Sequence, residues 1–361
     1  MTDHPSKDEI EVSLFGPGYG ESILLHLGNG DWIAVDSCID PKDASSVPLR
    51  YLKSLGVDLS SQIKMIIATH WHDDHIRGIA ELLHVCNSAK FGLATVFTKE
   101  DFIQFATANS SSDPSPLGRT TTEIMSVVQL LKSRKQKPVF LTADRKIYST
   151  AFSQSTIDAS VFSLSPTDDV MNKFLLKVAA AIPAAKTPQR RSGDLKPNEV
   201  SAVILINLPN GAVLLGADLE ESHGKAWTKI LQNSVCLDQK ATIFKIPHHG
   251  SKTGHCDDVW NNLLSRNVIA ILAPWNKGRK LPSRADINRI LSLTSEAYST
   301  ADPNAVAPIR RDPQVKRSLD NMGIRLRLAQ PRPGHIRLRR KAGEVNWSIK
   351  SDGTARHLKS I

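Results

Sequence analysis

Apolar and polar positions fall into short runs along the whole of this chain, with the lengths of strands and short helices. Glu9–Phe15, Ser22–Leu27 and Trp32–Asp36 are β-prone runs, set apart by Gly16-Pro17-Gly18-Tyr19-Gly20 and Gly28-Asn29-Gly30. Asn29-Gly30 between two apolar runs is a hairpin signal, because the tight turn needs residues that tolerate positive φ. Pro48–Leu55 predicts a short helix. Ile63–Thr69 is a continuous apolar run, as expected of a buried strand. Ile76–Val85 places Ile76, Ile79, Ala80, Leu82 and Leu83 at amphipathic-helix spacing, and Thr120–Leu131 predicts a second helix. Ser201–Leu208 and Ala212–Leu215 are joined by Pro209-Asn210-Gly211, a second hairpin signal. Thr242–Ile246 and Val268–Leu272 are further buried strands, followed in the tail by Ile324–Leu328, His335–Leu338 and Val345–Ile349. Thr107–Leu117 and Ala185–Pro197 are polar and predict loops. Strands outnumber helices in each half and helices intervene, which suits a layered α/β sandwich.

Composition narrows the class. With 361 residues, 40% hydrophobic and 23% charged, the chain is long enough for a large core and is not of disordered composition. No apolar run approaches the ~18–20 residues that span a bilayer, and no apolar signal core follows the N-terminus. These features predict a cytoplasmic protein without membrane insertion. Cys38, Cys86, Cys236 and Cys256 stand far apart with no Cys-x-x-Cys pair, so they read as reduced packing residues. The net charge of +10 is localised: residues 304–361 hold 14 of the 46 Lys and Arg but only 4 of the 36 Asp and Glu. Such a patch is either a footprint for phosphate backbones or a solvated basic surface.

The densest chemistry lies in Ala68-Thr69-His70-Trp71-His72-Asp73-Asp74-His75, directly after a predicted strand. A strand end puts His70 and His72 on one side, and the turn brings Asp74 and His75 back toward the same point. Imidazole with carboxylate is a donor set for transition metals, compatible with zinc, manganese or iron.

The pattern His-x-His-x-Asp-His resembles the signature of the metallo-β-lactamase superfamily. Further segments match in order: Gly18-Tyr19-Gly20-Glu21-Ser22 with Ile33-Ala34-Val35-Asp36, Leu214-Leu215-Gly216-Ala217-Asp218, and Ile246-Pro247-His248-His249-Gly250-Ser251. Together they resemble the hydrolase domain of bacterial competence (DNA-uptake) membrane proteins and its free-standing relatives. The resemblance covers roughly Glu9 to Thr300 and implies a four-layer αββα sandwich, expected over residues 1–303; the charge and strand pattern of residues 304–361 mark a basic, β-rich extension expected to pack on the same domain. It also implies two divalent ions, Zn2+ or Mn2+. His70 and His72 would hold the first ion, Asp74 and His75 the second, and Asp218 would bridge them. One of His248 or His249 completes the second position, and His248, first after the strand, is favoured. Asp36 would orient a ligand histidine from behind. Asp74, Asp218 and His249 would then be catalytic, with His249 or Lys252 binding a phosphate or protonating the leaving oxygen.

Departures from the family pattern bear on function. The only histidine between His75 and Asp218 is His84, so the further ligand the superfamily usually has there is missing. The competence group lacks it too. Arg77 and Cys38 stand where glycines are usual, and Leu281-Pro282 where His-Pro is common. In the tail, His335, Arg337 and Arg339 share one face of a predicted strand, a candidate phosphate-binding face or a charged edge. Trp347 is the one aromatic there, which gives no base-stacking platform. The leading expectation is a phosphodiesterase or nuclease acting on DNA or other nucleic acid through a dimetal-activated hydroxide. The alternatives are hydrolysis of a small ester, thioester, lactone or nucleotide signal, or a partner-dependent role in a defence or DNA-uptake system.

Overall fold

The computed structural model describes residues 4–16, 19–94, 99–109, 115–152, 157–181, 195–221, 225–304, 313–323 and 332–361. The strand expected at Ile324–Leu328, most of the loop at Ala185–Pro197, and Gly18 lie outside these residues.

The first sheet draws on β1 (Glu9–Gly16), β2 (Ser22–Leu27), β3 (Trp32–Val35), β4 (Ile63–Ile67), β5 (Lys90–Ala94) and β6 (Val139–Leu141). The second is built from β7 (Arg145–Ser149), β8 (Ser160–Ser163), β9 (Ile204–Leu208), β10 (Gly211–Leu215), β11 (Ala241–Lys245), β12 (Leu264–Leu272) and β13 (Ala297–Ser299). The tail adds β14 (Gly334–Lys341), β15 (Ser348–Asp352) and β16 (Arg356–His357). The sheets run in the orders β15-β14-β1-β2-β3-β4-β5-β6 and β16-β13-β12-β11-β10-β9-β8-β7, eight strands each. The tail thus extends both. Helices α1 (Val47–Ser54), α2 (Asp73–Ile76), α3 (Ile79–Val85), α4 (Glu100–Asn109), α5 (Pro116–Ser133) and α6 (Asp168–Ala181) belong to the first half. Helices α7 (Trp227–Asn233), α8 (Asp257–Asn262), α9 (Arg284–Leu293) and α10 (Pro313–Asn321) follow.

Three buried clusters account for the layering. Ile10, Val12, Leu14, Ile33 and Ile67 of the first sheet meet Val161, Ile204, Ile206, Ile243 and Ile271 of the second. On the outer face of the first sheet, Leu24, Trp32 and Ile66 pack with Leu52, Leu82, Phe102, Val127 and Phe174 from helices. The outer face of the second sheet packs Leu214, Phe244 and Leu272 against Trp227, Val259 and Ile290. The result is two large mixed sheets, face to face and covered on their outer faces by helices, the four-layer αββα arrangement.

Both hairpin signals are realised as turns with positive φ, at Asn29 (52°) and Gly30 (82°) and at Asn210 (63°) and Gly211 (123°). The helix expected over Ile76–Val85 is instead broken: Arg77 is extended and Gly78 is left-handed between α2 and α3. The amide of Ser37, after β3, donates to the His75 carbonyl at 2.7 Å and holds the end of α2 off the axis of α3. The loop expected at Thr107–Leu117 is shortened by the helices that flank it. Helix α4 runs to Asn109, and α5 starts after Ser115, whose hydroxyl accepts from the Gly118 amide.

The alternation in β14 is as the sequence implies, but the His/Arg face does not look toward the histidine motif. Ile336 and Leu338 join the inter-sheet core, whereas His335, Arg337 and Arg339 lie against β1 and α1. Arg339 Nε donates to Glu11 Oε2 at 2.6 Å, and Tyr51 of α1 donates to Glu11 Oε1 at 2.8 Å. His335 stacks on Phe15 with ring centroids 4.3 Å apart and bonds Ser13 Oγ at 2.9 Å. Burial, followed by the charges of Arg337 and Lys350, pushes the His335 imidazole down to about 3. A neutral histidine is a poor phosphate ligand. Arg337 is half-buried on the same face and engages Tyr51. The expected substrate role of His335 and Arg337 therefore gives way to an interior polar seam that sews the tail to β1.

That seam yields a stability contrast. Glu11→Ala removes the buried carboxylate that Arg339 and Tyr51 share and is expected to cost about 3–5 kcal/mol. Lys350→Ala, at an exposed pair 3.7 Å from Asp352, is expected to cost no more than about 0.5 kcal/mol. Chemical-denaturation midpoints measure both, and equal effects would contradict the assignment.

Candidate metal centre

Strands β3 to β6 run parallel to one another, as do β10 to β13, and the segments leaving their C-terminal ends meet at one edge of the sandwich. Asp36 follows β3, the His70–His75 segment follows β4, Asp218 follows β10, and His248-His249 follows β11. Loops leaving strand C-termini are the usual place for ligand sites in parallel α/β sheets.

Asp74, His75, Asp218 and His249 are all buried and offer donor atoms within 4.8 Å of one another. His70, the half-buried His72 and Asp218 form another such group, so Asp218 is common to these two, and Asp36, His70 and His75 form a third. His249 Nε2 lies 3.2 Å from Asp74 Oδ2 and 3.2 Å from Asp218 Oδ2. His75 Nε2 lies 3.5 Å from Asp74 Oδ2 and 3.4 Å from Asp218 Oδ1. On the other side, His70 Nε2 is 3.2 Å from His72 Nδ1.

Asp36 lies beside this cluster, and its oxygens are already committed. Oδ1 accepts from the Thr69 amide at 2.8 Å, and Oδ2 from the Thr69 hydroxyl at 2.7 Å and from His75 Nδ1 at 2.8 Å. The His249 Nδ1 likewise donates to the Ala273 carbonyl at 3.0 Å. Both rings are thereby oriented with Nε2 facing the carboxylates, which is the arrangement by which outer hydrogen bonds fix metal-ligating histidines.

The backbone reaches these positions through left-handed conformations that non-glycine residues seldom adopt. Asp36 has φ 58°, Ala217 45°, His248 49° and His249 54°. Two successive left-handed histidines reverse the simple expectation that the first histidine after β11 faces inward. His249 enters the cluster. His248 is only partly buried and its Nδ1 meets Thr253 Oγ1 at 2.7 Å. The donor group thus contains His249 and not the favoured His248. Lys252 is exposed on the following turn.

Asp74 Oδ2, His75 Nε2 and Asp218 Oδ1 are buried without a hydrogen-bond partner. Buried orphans are rare, and here three of them converge from separate segments on one point. Imidazole nitrogen and carboxylate oxygen together suit a divalent cation. The residues fit a metal centre.

Two residues were not foreseen from the sequence. Lys245, the last residue of β11, is fully buried, with Nζ 2.5 Å from Glu21 Oε1, 2.9 Å from the Ala217 carbonyl and 3.7 Å from Asp218 Oδ1. Glu21, also buried, lies 3.6 Å from His75 Nδ1. A lone lysine in an otherwise apolar strand was the available signal. Gly20 brings Glu21 in: at φ 95° its Cβ position would lie 3.0 Å from Cys38 Cβ and 3.2 Å from the Asp74 carbonyl.

The electrostatics follow from this crowding. Burial pulls His75 down, but Asp218, Asp74, Glu21 and Asp36 more than offset it and hold the ring well above its ordinary value. His249 is likewise lowered by burial and lifted by Asp218 and Asp74 to about 10. Burial raises Asp74, yet His75 and His249 bring it to about 2. His70 goes the other way, driven well down by burial and by the neighbouring imidazoles of His75 and His72. The surrounding carboxylates thus favour proton binding at His75 and His249, whereas burial opposes it at His70.

No family model and no curated protein matches the chain. Among solved structures it is similar to a metallo-β-lactamase with a HARLDQ motif from Cronobacter sakazakii, at 14% identity and a TM-score of 0.33, over 64% of this chain and 69% of that one. It is also similar to the flavodiiron protein from Giardia intestinalis, at 11% identity and a TM-score of 0.27, over 58% of this chain and 35% of that one. The chemistry of the site therefore rests on its own side chains.

Two outcomes are expected. Because His75 and His249 must shed protons to bind a cation, affinity for Mn2+ or Zn2+ should rise with pH across the neutral range, with proton release seen by calorimetry in buffers of different ionisation enthalpy. A pH-independent affinity would contradict this. Separately, Asp36→Asn should weaken metal binding by about 10–100-fold by loosening His75, and His249→Ala should weaken it far more than His248→Ala, both read by equilibrium dialysis.

Proposed function

We propose that the chain is a metal-dependent hydrolase, and that its bond is a phosphodiester of DNA or another nucleic acid. The observation that carries the reading is Asp218, shared by two adjacent buried donor groups, which is how a two-ion centre is built. Bound there, divalent ions would activate water at neutral pH and stabilise the attacking and leaving oxygens of an in-line displacement.

The chain's own residues supply the positioning. Asp36 and the Ala273 carbonyl aim His75 and His249. Lys245 holds the Ala217 carbonyl, and with it the strained turn that delivers Asp218. Asp73, between His72 and Asp74, takes no part in either donor group. Its carboxylate accepts from Arg119 at 3.1 Å and from the Tyr19 hydroxyl at 2.7 Å, so the motif is braced against α5 and the β1–β2 connection.

A small neutral ester at the same site is the rival substrate, and salt separates the two. Turnover of a polyanion should fall steeply with ionic strength, whereas that of a neutral ester should not. Purified protein with Mn2+ or Zn2+ is expected to hydrolyse plasmid or linear single-stranded DNA, with activity lost in His72→Ala and in Asp218→Ala. Activity unchanged from the wild type in both variants would sink the mechanism, and metal binding without cleavage of any nucleic acid would sink the substrate class.

A further inference from the structure

The segment after β12 forms a feature that neither donor group uses. Trp275 and Leu281 exchange backbone hydrogen bonds, each 2.8 Å, which close the loop between them at its base. Gly278 turns the tip at φ 65°. Asn276, Lys277, Gly278, Arg279 and Lys280 are exposed, so this short finger carries three cations and no acid. At its base the half-buried Trp275 ring lies 5.6 Å from the His249 ring and 5.2 Å from that of Tyr19, centroid to centroid. Lys277 Nζ sits 3.1 Å above the Tyr19 ring. Asp73 and Asp74 attract Lys277 and Arg119 and Arg77 repel it, so all four lie near enough to act on it electrostatically.

The Trp275 ring and a set of cations, one of them seated over the Tyr19 ring, therefore adjoin the metal centre on one side. Aromatic faces accept planar rings of any base, and the cations accept phosphate. A neutral ester or lactone would use neither.

From this juxtaposition we infer that Trp275, Tyr19 and the Lys277–Lys280 finger form a nucleotide-binding wall, in which a base stacks on Trp275 while its phosphate lies between the finger and the metal centre. The inference rests on the phosphodiester reading and names the unit that reading would recognise. The same chemistry is offered by a free nucleotide and by a single strand, whose further phosphates would run along Arg279 and Lys280.

Metal-free protein allows a test independent of hydrolysis. Of the six tryptophans, Trp32, Trp71 and Trp227 are fully buried, so quenching by a stacked base would report on the others. Titration with dTMP, oligo(dT) and inorganic phosphate is expected to quench the emission with the first two and not with phosphate. Trp275→Leu should abolish the quench and weaken labelled oligo(dT) binding, by anisotropy, about tenfold, the order of one stacked base. Trp275→Phe should restore most of that binding, which a variant that merely unfolds would not.

Replacing Lys277, Arg279 and Lys280 together by Gln should flatten the salt dependence for oligo(dT) more than for dTMP. A single strand as ligand predicts tighter binding of oligo(dT), and a free nucleotide predicts equal binding; both retain the wall. Undiminished oligo(dT) binding by Trp275→Leu, or quenching by phosphate alone, would overturn it. Binding by the wild type without cleavage in the presence of Mn2+ would instead overturn the proposed reaction and leave the wall in place.

Discussion

Four carboxylates, Glu21, Asp36, Asp74 and Asp218, are buried within one pocket at the edge of the sandwich, and their mutual repulsion is the constraint around which the rest is arranged. Two like charges about 4 Å apart repel by roughly 4 kcal/mol at an effective dielectric of 20. Among the described residues Lys245 is the one buried ammonium in contact with them, and a single positive charge does not balance four negative ones. Protons on His75 and His249 make up part of the deficit. A divalent cation seated between Asp74 and Asp218 would do so more completely, and would use atoms that otherwise have no partner. The pocket is in this sense built for cations before any substrate is considered.

Assembling such a pocket needs segments that are distant in sequence to end at one place, and the two parallel strand sets provide that. The strands are rigid and their C-terminal ends coincide, so each short connection can deliver one or two side chains. The cost appears as left-handed backbone at Asp36, Ala217, His248 and His249, which persists because surrounding bonds over-determine it. Lys245 contributes twice, neutralising Glu21 and bonding the carbonyl of the strained Ala217. Asp73 links the same centre outward to Tyr19 and Arg119, so the metal motif and the wall beside it share one support.

The tail shows how charge can be conspicuous in sequence and structural in the fold. Arg339 is spent on Glu11, and Arg340 donates to the carbonyls of Asn210, Glu344 and Pro209. Trp347 lies under the Arg340 guanidinium, 4.7 Å from ring to Cζ, and donates to Thr242. The cations that adjoin the centre come instead from the connection after β12, whose sequence Trp275-Asn-Lys-Gly-Arg-Lys280 is too short to stand out against a tail of greater net charge.

What the sequence determined by itself is what depends on local order. Period-two alternation and apolar runs gave the sandwich, Asn-Gly pairs gave the hairpins, and the spacing of His70, His72, Asp74 and His75 declared a metal-binding motif because four donors within six residues have few other uses. What only the tertiary structure decided is what depends on direction. Whether His248 or His249 faces inward turns on two left-handed residues, a strained state that neighbouring elements impose and that composition does not signal. The His335 face could be assigned only once β14 was seen to pair with β1 under α1, since alternation says which residues share a face but not what that face meets. Lys245, Glu21, Tyr19 and Trp275 acquire their places in the same way, through strand ends brought together by two sheets, and no spacing along the chain encodes that meeting.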